Sequence, residues 1–256
     1  MTHHVGCGID IGGSGVKGAL VDLDTGEFIG ERIRIVTPQP STPKAIAQVC
    51  RSIVEQLNVP SDIPIGIDMP GPIVHGVVPF IANLDKKWEG VNAATLLSDY
   101  VERPVCVLND ADAAGLAEIA FGAARDRQGT IIVTTLGTGI GSAIIVDGHL
   151  IPNSELGHLE IDGHDAETRA SAAQRTKHDL SWKEYAKRLQ KYYSKLEMLF
   201  WPDLLVVGGG VSQNYAKFLP LLKLQTPIVP AQLFNTAGIV GAAWQASREH
   251  SSSLKQ

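Results

Sequence analysis

Two glycine-rich turns constrain this chain more than any other feature. Gly8-Ile-Asp-Ile-Gly-Gly-Ser-Gly-Val-Lys17 and Thr134-Thr-Leu-Gly-Thr-Gly-Ile-Gly-Ser142 each lie between two apolar, β-like runs. Glycine lets a backbone turn tightly and lets bare N–H groups face an anion at close range. The same strand–turn–strand opening therefore occurs twice, about half a chain apart, as a weak internal repeat. Two such turns could hold one phosphate chain from both sides, with a carboxylate nearby to activate a hydroxyl, which reads as phosphoryl transfer.

The residues after each turn narrow the reading. A dinucleotide fingerprint needs a helix after its glycines, whereas Val16-Lys-Gly-Ala-Leu-Val21 is strand-like. A Walker loop needs a Gly-Lys-Ser/Thr ending, which is missing here. A hairpin that holds phosphate in its turn remains, through Gly12, Gly13 and Ser14, with Lys17 as a point charge. Asp10 would face the same anion, an unfavourable meeting unless a cation lies between them, so Asp10 suggests Mg²⁺ held through water. In the second turn Gly137 and Gly139 alternate with Thr138, and Thr135 precedes them with another hydroxyl. Each turn by itself is also compatible with a plain structural hairpin, and the recurrence gives the second one its weight.

The rest of the chain alternates strands and helices. Val5–Asp10, Val16–Asp22 and Glu27–Val36 read as a β-meander. Thr42 offers an N-cap with Pro43 behind it, and Ile46, Val49, Ile53 and Leu57 give an amphipathic helix. Ile63–Asp68 is a short strand, Ala94–Tyr100 a helix, Pro104–Leu108 a buried strand and Ala111–Phe121 a helix. After the second hairpin come a helix capped by Ser181, a strand at Leu204–Val207 and a final helix at Gly238–Ser247. Asn109-Asp110 falls between a buried strand and a helix. Capping explains one of these two residues, and the functional reading makes Asp110 the group that accepts a sugar hydroxyl's proton, with Asn109 on another hydroxyl. Glu155, His158 and Glu160 cluster within six positions, either as a solvated loop or as planar partners for sugar hydroxyls. A zinc reading of His158 has only His164 and His178 to draw on, at spacings that match no zinc pattern.

Composition sets limits. The chain has 256 residues, 44% hydrophobic and 19% charged, with net charge −5, which disfavours a general nucleic-acid binder. No apolar run reaches the roughly 18 residues of a membrane span, and the start lacks the pattern of a signal peptide. Cys7, Cys50 and Cys106 are too few and too scattered for a disulfide framework, so buried thiols in a reducing cytoplasm are expected. Residues 169–195 hold eight basic and two acidic side chains, a segment of +6 in a remainder of −11. This is either a polyanion contact or the wet face of an amphipathic helix carrying Lys183, Lys187, Lys191 and Lys195. Trp182, Tyr185 and Tyr192 on the opposite face read as core or a dimer contact.

Asp10-Ile-Gly-Gly-Ser14, Pro70-Gly-Pro72, Asn109-Asp-Ala-Asp112, Leu136-Gly-Thr-Gly-Ile-Gly141, Glu155-Leu-Gly-His158 and Val207-Gly-Gly-Gly210 together resemble the ROK family of sugar kinases. Asn83-Leu-Asp-Lys-Lys-Trp88, Leu180-Ser-Trp-Lys-Glu-Tyr-Ala186, and Thr226-Pro-Ile-Val-Pro230 leading into Asn235-Thr-Ala-Gly-Ile-Val-Gly241 resemble its branch that uses inorganic polyphosphate, often with ATP as well. The resemblance implies a two-lobed α/β fold of the actin/hexokinase (ribonuclease H-like) class with a cleft between lobes. It implies a smaller lobe over 1–108, a larger one over 109–235, and a helix at about 236–250 that packs back on the first. It makes Asp110 the catalytic base. It sets Gly71, Asn109, Glu155, His158 and Glu160 on glucose, and Gly12, Gly13, Ser14, Lys17, Thr135, Gly137, Thr138 and Gly139 on the phosphoryl donor. Gly209 and Gly210 fall near an adenosine. Mg²⁺, a homodimer and a cytoplasmic location complete what it implies. Most ROK proteins carry zinc-binding cysteines just after the Glu-x-Gly-His motif, and residues 161–178 have none, so no structural zinc is expected. Two alternatives stand beside this: an ATP-only ROK kinase acting on glucose, mannose or an N-acylated amino sugar, and a sugar-sensing repressor. The repressor needs an N-terminal helix-turn-helix, for which a first strand beginning at about Val5 leaves no room.

Overall fold

The hairpin around each glycine turn is present in the computed structural model, which describes residues 4–253. In chain order the elements are β1 (Val5–Ile11), β2 (Val16–Asp22), β3 (Phe28–Ile35), α1 (Pro43–Gln56), β4 (Ile65–Met69), α2 (Ala93–Val101), β5 (Val105–Asn109), α3 (Asp110–Phe121), β6 (Thr130–Leu136), β7 (Ile140–Val146), β8 (His149–Ile151), β9 (Glu160–Ile161), β10 (His164–Asp165), α4 (Glu167–Ala170), α5 (Ala172–Lys177), α6 (Trp182–Phe200), β11 (Leu204–Gly208), β12 (Ile228–Pro230) and α7 (Ala237–Ser253). They divide into two compact units, one of residues 1–117 with 236–256, the other of residues 118–235. The division falls inside α3, later than the 108/109 boundary expected from the sequence.

The first unit holds a five-stranded sheet in the order β3-β2-β1-β4-β5, the second a five-stranded sheet β12-β11-β6-β7-β8. Read from the meander side, the two orders are the same. An antiparallel meander (β1–β2–β3; β6–β7–β8) is followed by two strands parallel to its first member. The repeat in the sequence is thus a repeat of topology, and the fold is α/β in both halves.

Local chemistry sets the helices. Thr42 accepts the Ala45 N–H with its side chain, Pro43 opens α1, and Ile46, Ala47, Cys50 and Ile53 are buried beneath it. Ser181 and Glu184 form a reciprocal capping box at the start of α6, and the bond from Ser181 holds the Glu184 carboxyl below its ordinary range.

The first unit seats α7 backbone against backbone. A Cβ on Gly8 would lie 1.9 Å from the Ile239 carbonyl oxygen, one on Gly66 1.9 Å from that of Ala242, and one on Gly241 1.8 Å from that of Ala113. The second unit packs α6 through large side chains. Tyr185, Leu189, Tyr192, Tyr193 and Leu196 are buried with Ile132, Leu136, Leu205 and Val207 of the sheet, and Tyr193 shares a 2.8 Å hydrogen bond with Thr134. The aromatic face of α6 is therefore core. Cys7 and Cys50 are fully buried in the first unit, and burial pushes each thiol up to about 12. Among the described residues no helix is long and apolar enough to cross a membrane.

Candidate active site

In the first unit the chain turns between β1 and β2 through Gly12–Gly15, closed by the Gly12 N–H donating to the Gly15 carbonyl at 3.1 Å. Two side chains brace it: the Thr37 hydroxyl donates to the Gly12 carbonyl at 2.5 Å, and Arg34 to the Ser14 carbonyl at 3.2 Å. Gly13 and Ser14 stand exposed at the tip. Asp10 and Lys17 are cross-strand partners, and the Lys17 ammonium donates to Asp10 Oδ2 at 2.7 Å. That pairing keeps the cation at the base of the turn.

Asp10 also stands beside Asp68 in the parallel β1–β4 register. Asp68 is fully buried, and neither of its carboxylate oxygens has a hydrogen-bond partner. Burial, then the charges of Asp10 and Asp110, raise its carboxyl well above the ordinary range, with Lys17 pulling the other way. The sequence motifs do not mark Asp68. A signal for it exists all the same, as an acidic residue inside a five-residue strand whose other members are Ile65, Gly66, Ile67 and Met69.

Asn109 ends β5 and caps α3. Its Oδ1 accepts the N–H groups of Ala111 at 2.8 Å and Asp112 at 3.1 Å. The cap leaves Asp110 exposed at the positive end of the helix, where its Oδ1 takes the Ala111 N–H at 2.8 Å. Gly71, in the loop after β4, has φ +137°, and a Cβ there would lie 2.7 Å from the Phe80 carbonyl oxygen.

In the second unit the turn between β6 and β7 is closed by the Gly137 N–H donating to the Gly139 carbonyl at 3.0 Å. Its braces come from α4 and α5. Glu167 accepts the Ile140 N–H at 3.1 Å, and the Ala173 N–H donates to the Gly137 carbonyl at 3.0 Å. Thr138 is exposed and Thr135 half-buried. Gly209 (φ +78°) crowds the same turn, since a Cβ there would lie 2.4 Å from the Leu136 carbonyl oxygen, and Gly210 beside it faces open space.

The loop that carries Glu155 is tied to β7, because Ser142 donates to the Ser154 carbonyl at 2.7 Å and accepts the Leu156 N–H at 3.0 Å. Desolvation raises the Glu155 carboxyl, opposed by His158 and reinforced by Glu167. His158 Nδ1 pairs with Asp165 at 3.0 Å, and this bond raises the imidazole above its ordinary 6.5, with the charges of Glu167, Glu155 and Asp165 adding to it. Glu155, His158, Asp165 and Glu167 thus form one electrostatic group. Glu160 is exposed on β9 and is not among the charges that move Glu155 or His158. Glu167, which no local motif marks, holds the turn and this group together.

The ROK family model matches residues 6–172. A Mycobacterium tuberculosis protein named polyphosphate glucokinase is 49% identical over 243 residues, covering 94% of this chain and 91% of the relative. The chain belongs to the ROK family. Among solved structures, the inorganic polyphosphate/ATP-glucomannokinase from Arthrobacter sp. strain KM is 53% identical with TM-score 0.90, covering 96% of this chain and 99% of that one. A ROK family glucokinase from Streptomyces griseus, solved with glucose and AMPPNP, shares the fold with TM-score 0.81 at 24% identity, over 95% of this chain and 99% of that one.

The segment over residues 161–178 is tied down by packing and hydrogen bonds. Ala166 and Ala170 are buried in the second core, the Ala166 N–H donates to the Leu159 carbonyl at 3.0 Å, and Arg188 donates to the Arg169 carbonyl at 2.9 Å. The branch motif around Lys86 has an anchoring role, since Trp88 is fully buried with its indole N–H on the Ser41 carbonyl at 3.1 Å.

Proposed function

We propose that this ROK protein transfers a phosphoryl group to the 6-hydroxyl of glucose, with inorganic polyphosphate and also ATP as donors. Similarity to a glucokinase and a glucomannokinase that are both named for polyphosphate supports the donor and the acceptor class. The observation that carries the chemistry is the division of labour at the start of α3. Asn109 accepts two N–H groups at the helix end, and the Asp110 carboxylate beside it, which also takes the Ala111 N–H, is exposed.

Asp110 takes the proton of the attacking hydroxyl as its oxygen meets phosphorus. Asn109, Glu155 and His158 hold other hydroxyls of the sugar, with Gly71 allowing close approach and Glu160 at the margin. Gly12 and Gly137 close the two turns with their own N–H groups, which leaves the N–H groups of Gly13 and Ser14 in the first unit, and in the second the Gly139 N–H with the hydroxyls of Thr135 and Thr138, to take phosphate oxygens of the donor. There, fixed donors offset developing charge without reorganising. Lys17 adds a cation that Asp10 keeps in place. Donors carrying several negative charges call for Mg²⁺, and the residues fit one: Asp10 offers a carboxylate beside the donor turn, and the orphaned oxygens of Asp68 lie next to it in register. Among the described residues no group of three or more His, Cys, Asp and Glu is placed to hold an ion directly, which suits a cation that keeps most of its waters. Mg²⁺ there would offset the donor's charge.

Gly209 and Gly210 beside the second turn favour ATP as an additional donor, the bare face of Gly210 leaving room for a nucleoside. The proposal includes a homodimer and a cytoplasmic location, in keeping with three free cysteines. Side-by-side initial rates on glucose with polyphosphate and with ATP test it. Turnover with both is expected, and turnover with ATP alone would reduce the protein to an ATP-dependent hexose kinase.

A further inference from the structure

The basic segment is not one continuous track. Of its eight cations, Arg169, Lys187, Arg188 and Lys191 converge on a single cavity of about 300 Å³ in the second unit, joined by His164 and one acid, Asp162. Arg175 is spent elsewhere, stacked 3.7 Å over the Trp182 ring, and Lys183 and Lys195 line no part of the cavity. Its floor is apolar, formed by Ile161, Ala166, Ala170 and the buried ring of Tyr192.

The charges are arranged rather than scattered. Lys191 is ion-paired with Asp162, which cancels the one acid. The Arg169 guanidinium is oriented by His164 Nε2 at 2.6 Å, and Arg188 by the Arg169 carbonyl at 2.9 Å. Lys187 and Arg188 also act electrostatically on Glu184, three and four residues away on the same helix. Apart from Asp162 the lining holds no carboxylate, so Arg169, Lys187 and Arg188 face the cavity without an anion in its wall.

The cavity also adjoins the donor turn through one short stretch of chain. Glu167, which holds the Ile140 N–H, lies two residues before Arg169 on α4, and Ala173, which donates to the Gly137 carbonyl, lies four residues after it. That stretch is the short helix α4, the extended residue Ser171 and the start of α5.

We propose that this cavity is a distal subsite for an inorganic oligophosphate, holding units of the donor chain beyond the one transferred. The inference rests on the polyphosphate reading above and goes beyond it by assigning Arg169, Lys187, Arg188 and Lys191 to the chain rather than to the reacting group. A donor that ends a few units from the turn does not reach the subsite, so the subsite acts on long polyphosphate and leaves ATP and tripolyphosphate untouched. Lys191 contributes once the incoming chain competes with Asp162, and Asp162 opposes binding.

The test uses the full chain and the double variant Lys187→Gln/Lys191→Gln. KM for long-chain polyphosphate is expected to rise about tenfold, with the salt dependence of binding flattened by one to two counterions. The kcat and the KM values for ATP, tripolyphosphate and glucose stay at wild-type levels. Asp162→Asn is expected to lower the long-chain KM severalfold. An unchanged long-chain KM in the double variant, or an equal rise with ATP, overturns the subsite. Direct binding of long-chain polyphosphate without glucose separates the two proposals. If the wild-type protein fails to turn polyphosphate over, the donor reading falls. Weaker binding by the double variant then still supports the cavity as an oligophosphate site, and equal binding overturns it.

Discussion

The sheets of the two units run in the same order, yet each holds its long helix by a different means. In the first, Gly8, Gly66 and Gly241 bring the backbone of α7 against β1, β4 and α3 with no room for a Cβ. In the second, α6 stands off on Tyr185, Leu189, Tyr192, Tyr193 and Leu196. The glycine turns differ in the same way. The first carries charge at its base, in Asp10, Lys17 and the buried Asp68, and is braced by Thr37 and Arg34. The second is braced from outside by Glu167 and Ala173, and Glu167 links it to the electrostatic group of Glu155 and His158. One topology thus comes in two packings: a close-packed unit that carries Asp110 and the charged turn, and a side-chain-packed unit whose turn depends on the neighbouring helices.

The largest effect belongs to the first unit. Asp110→Asn keeps the exposed position and the helix end, since Asn109 supplies the cap. We expect kcat to fall by about 10²–10⁴, the usual contribution of a general base, with the thermal melt unchanged. Full activity in this variant would remove Asp110 from the chemistry.

The packing contrast predicts the next. Gly66→Ala drives a Cβ into the Ala242 carbonyl and should cost about 2–3 kcal/mol, read as a lower urea midpoint at constant m. Gly208→Ala on β11 meets its nearest atom at 3.4 Å, an ordinary contact, and should stay within about 0.5 kcal/mol of wild type. Equal losses at both positions would mean that the two sheets do not pack differently. Asp68→Asn, measured without Mg²⁺, should raise the melting temperature at neutral pH. The sign follows from the raised carboxyl: a folded-state value above the unfolded one makes Asp68 cost stability as pH climbs from about 4. A variant that melts lower would show a stabilising partner for the carboxylate.

The braces come next. Glu167→Ala leaves the Ile140 N–H unpaired and should cost about 1–3 kcal/mol, with a severalfold higher donor KM. Thr37→Val removes the bond to the Gly12 carbonyl for about 1 kcal/mol. The smallest effect is a titration. Asp165→Asn should bring His158 back toward 6.5 in an NMR titration, because the Asp165 bond is the main cause of its elevation. The raised imidazole contributes stability below about pH 6.5 that is lost as pH rises through its folded-state value. His158 is about half exposed, so solvent screening keeps that contribution small. An unshifted His158 would move the cause of its elevation to the Glu155 and Glu167 charges.

Much of this is legible in the sequence because the signals are local. The hairpins around Gly12 and Gly137, the Thr42 and Ser181 caps and the apolar face of α6 all depend on neighbouring residues. Asn109-Asp110 is readable for the same reason, as two polar residues where a cap needs one. Glu167 and Asp68 escape a reading of motifs, because their importance lies in partners far along the chain: Ile140 for one, Asp10 and Asp110 for the other. Glu160 shows the converse. Its nearness in sequence to His158 suggests a shared role, but Asp165 and Glu167 are, with Glu155, the carboxylates that act on the imidazole. The basic segment looks uniform in sequence, and only the fold separates the cations that share a cavity from those on the outer face of α6.

A phosphoryl donor that needs no nucleotide is the central claim. Nucleotide-free protein incubated with glucose, Mg²⁺ and long-chain polyphosphate should form glucose 6-phosphate at a rate that Asp110→Asn abolishes. No glucose 6-phosphate under those conditions, from protein that phosphorylates glucose with ATP, would contradict it.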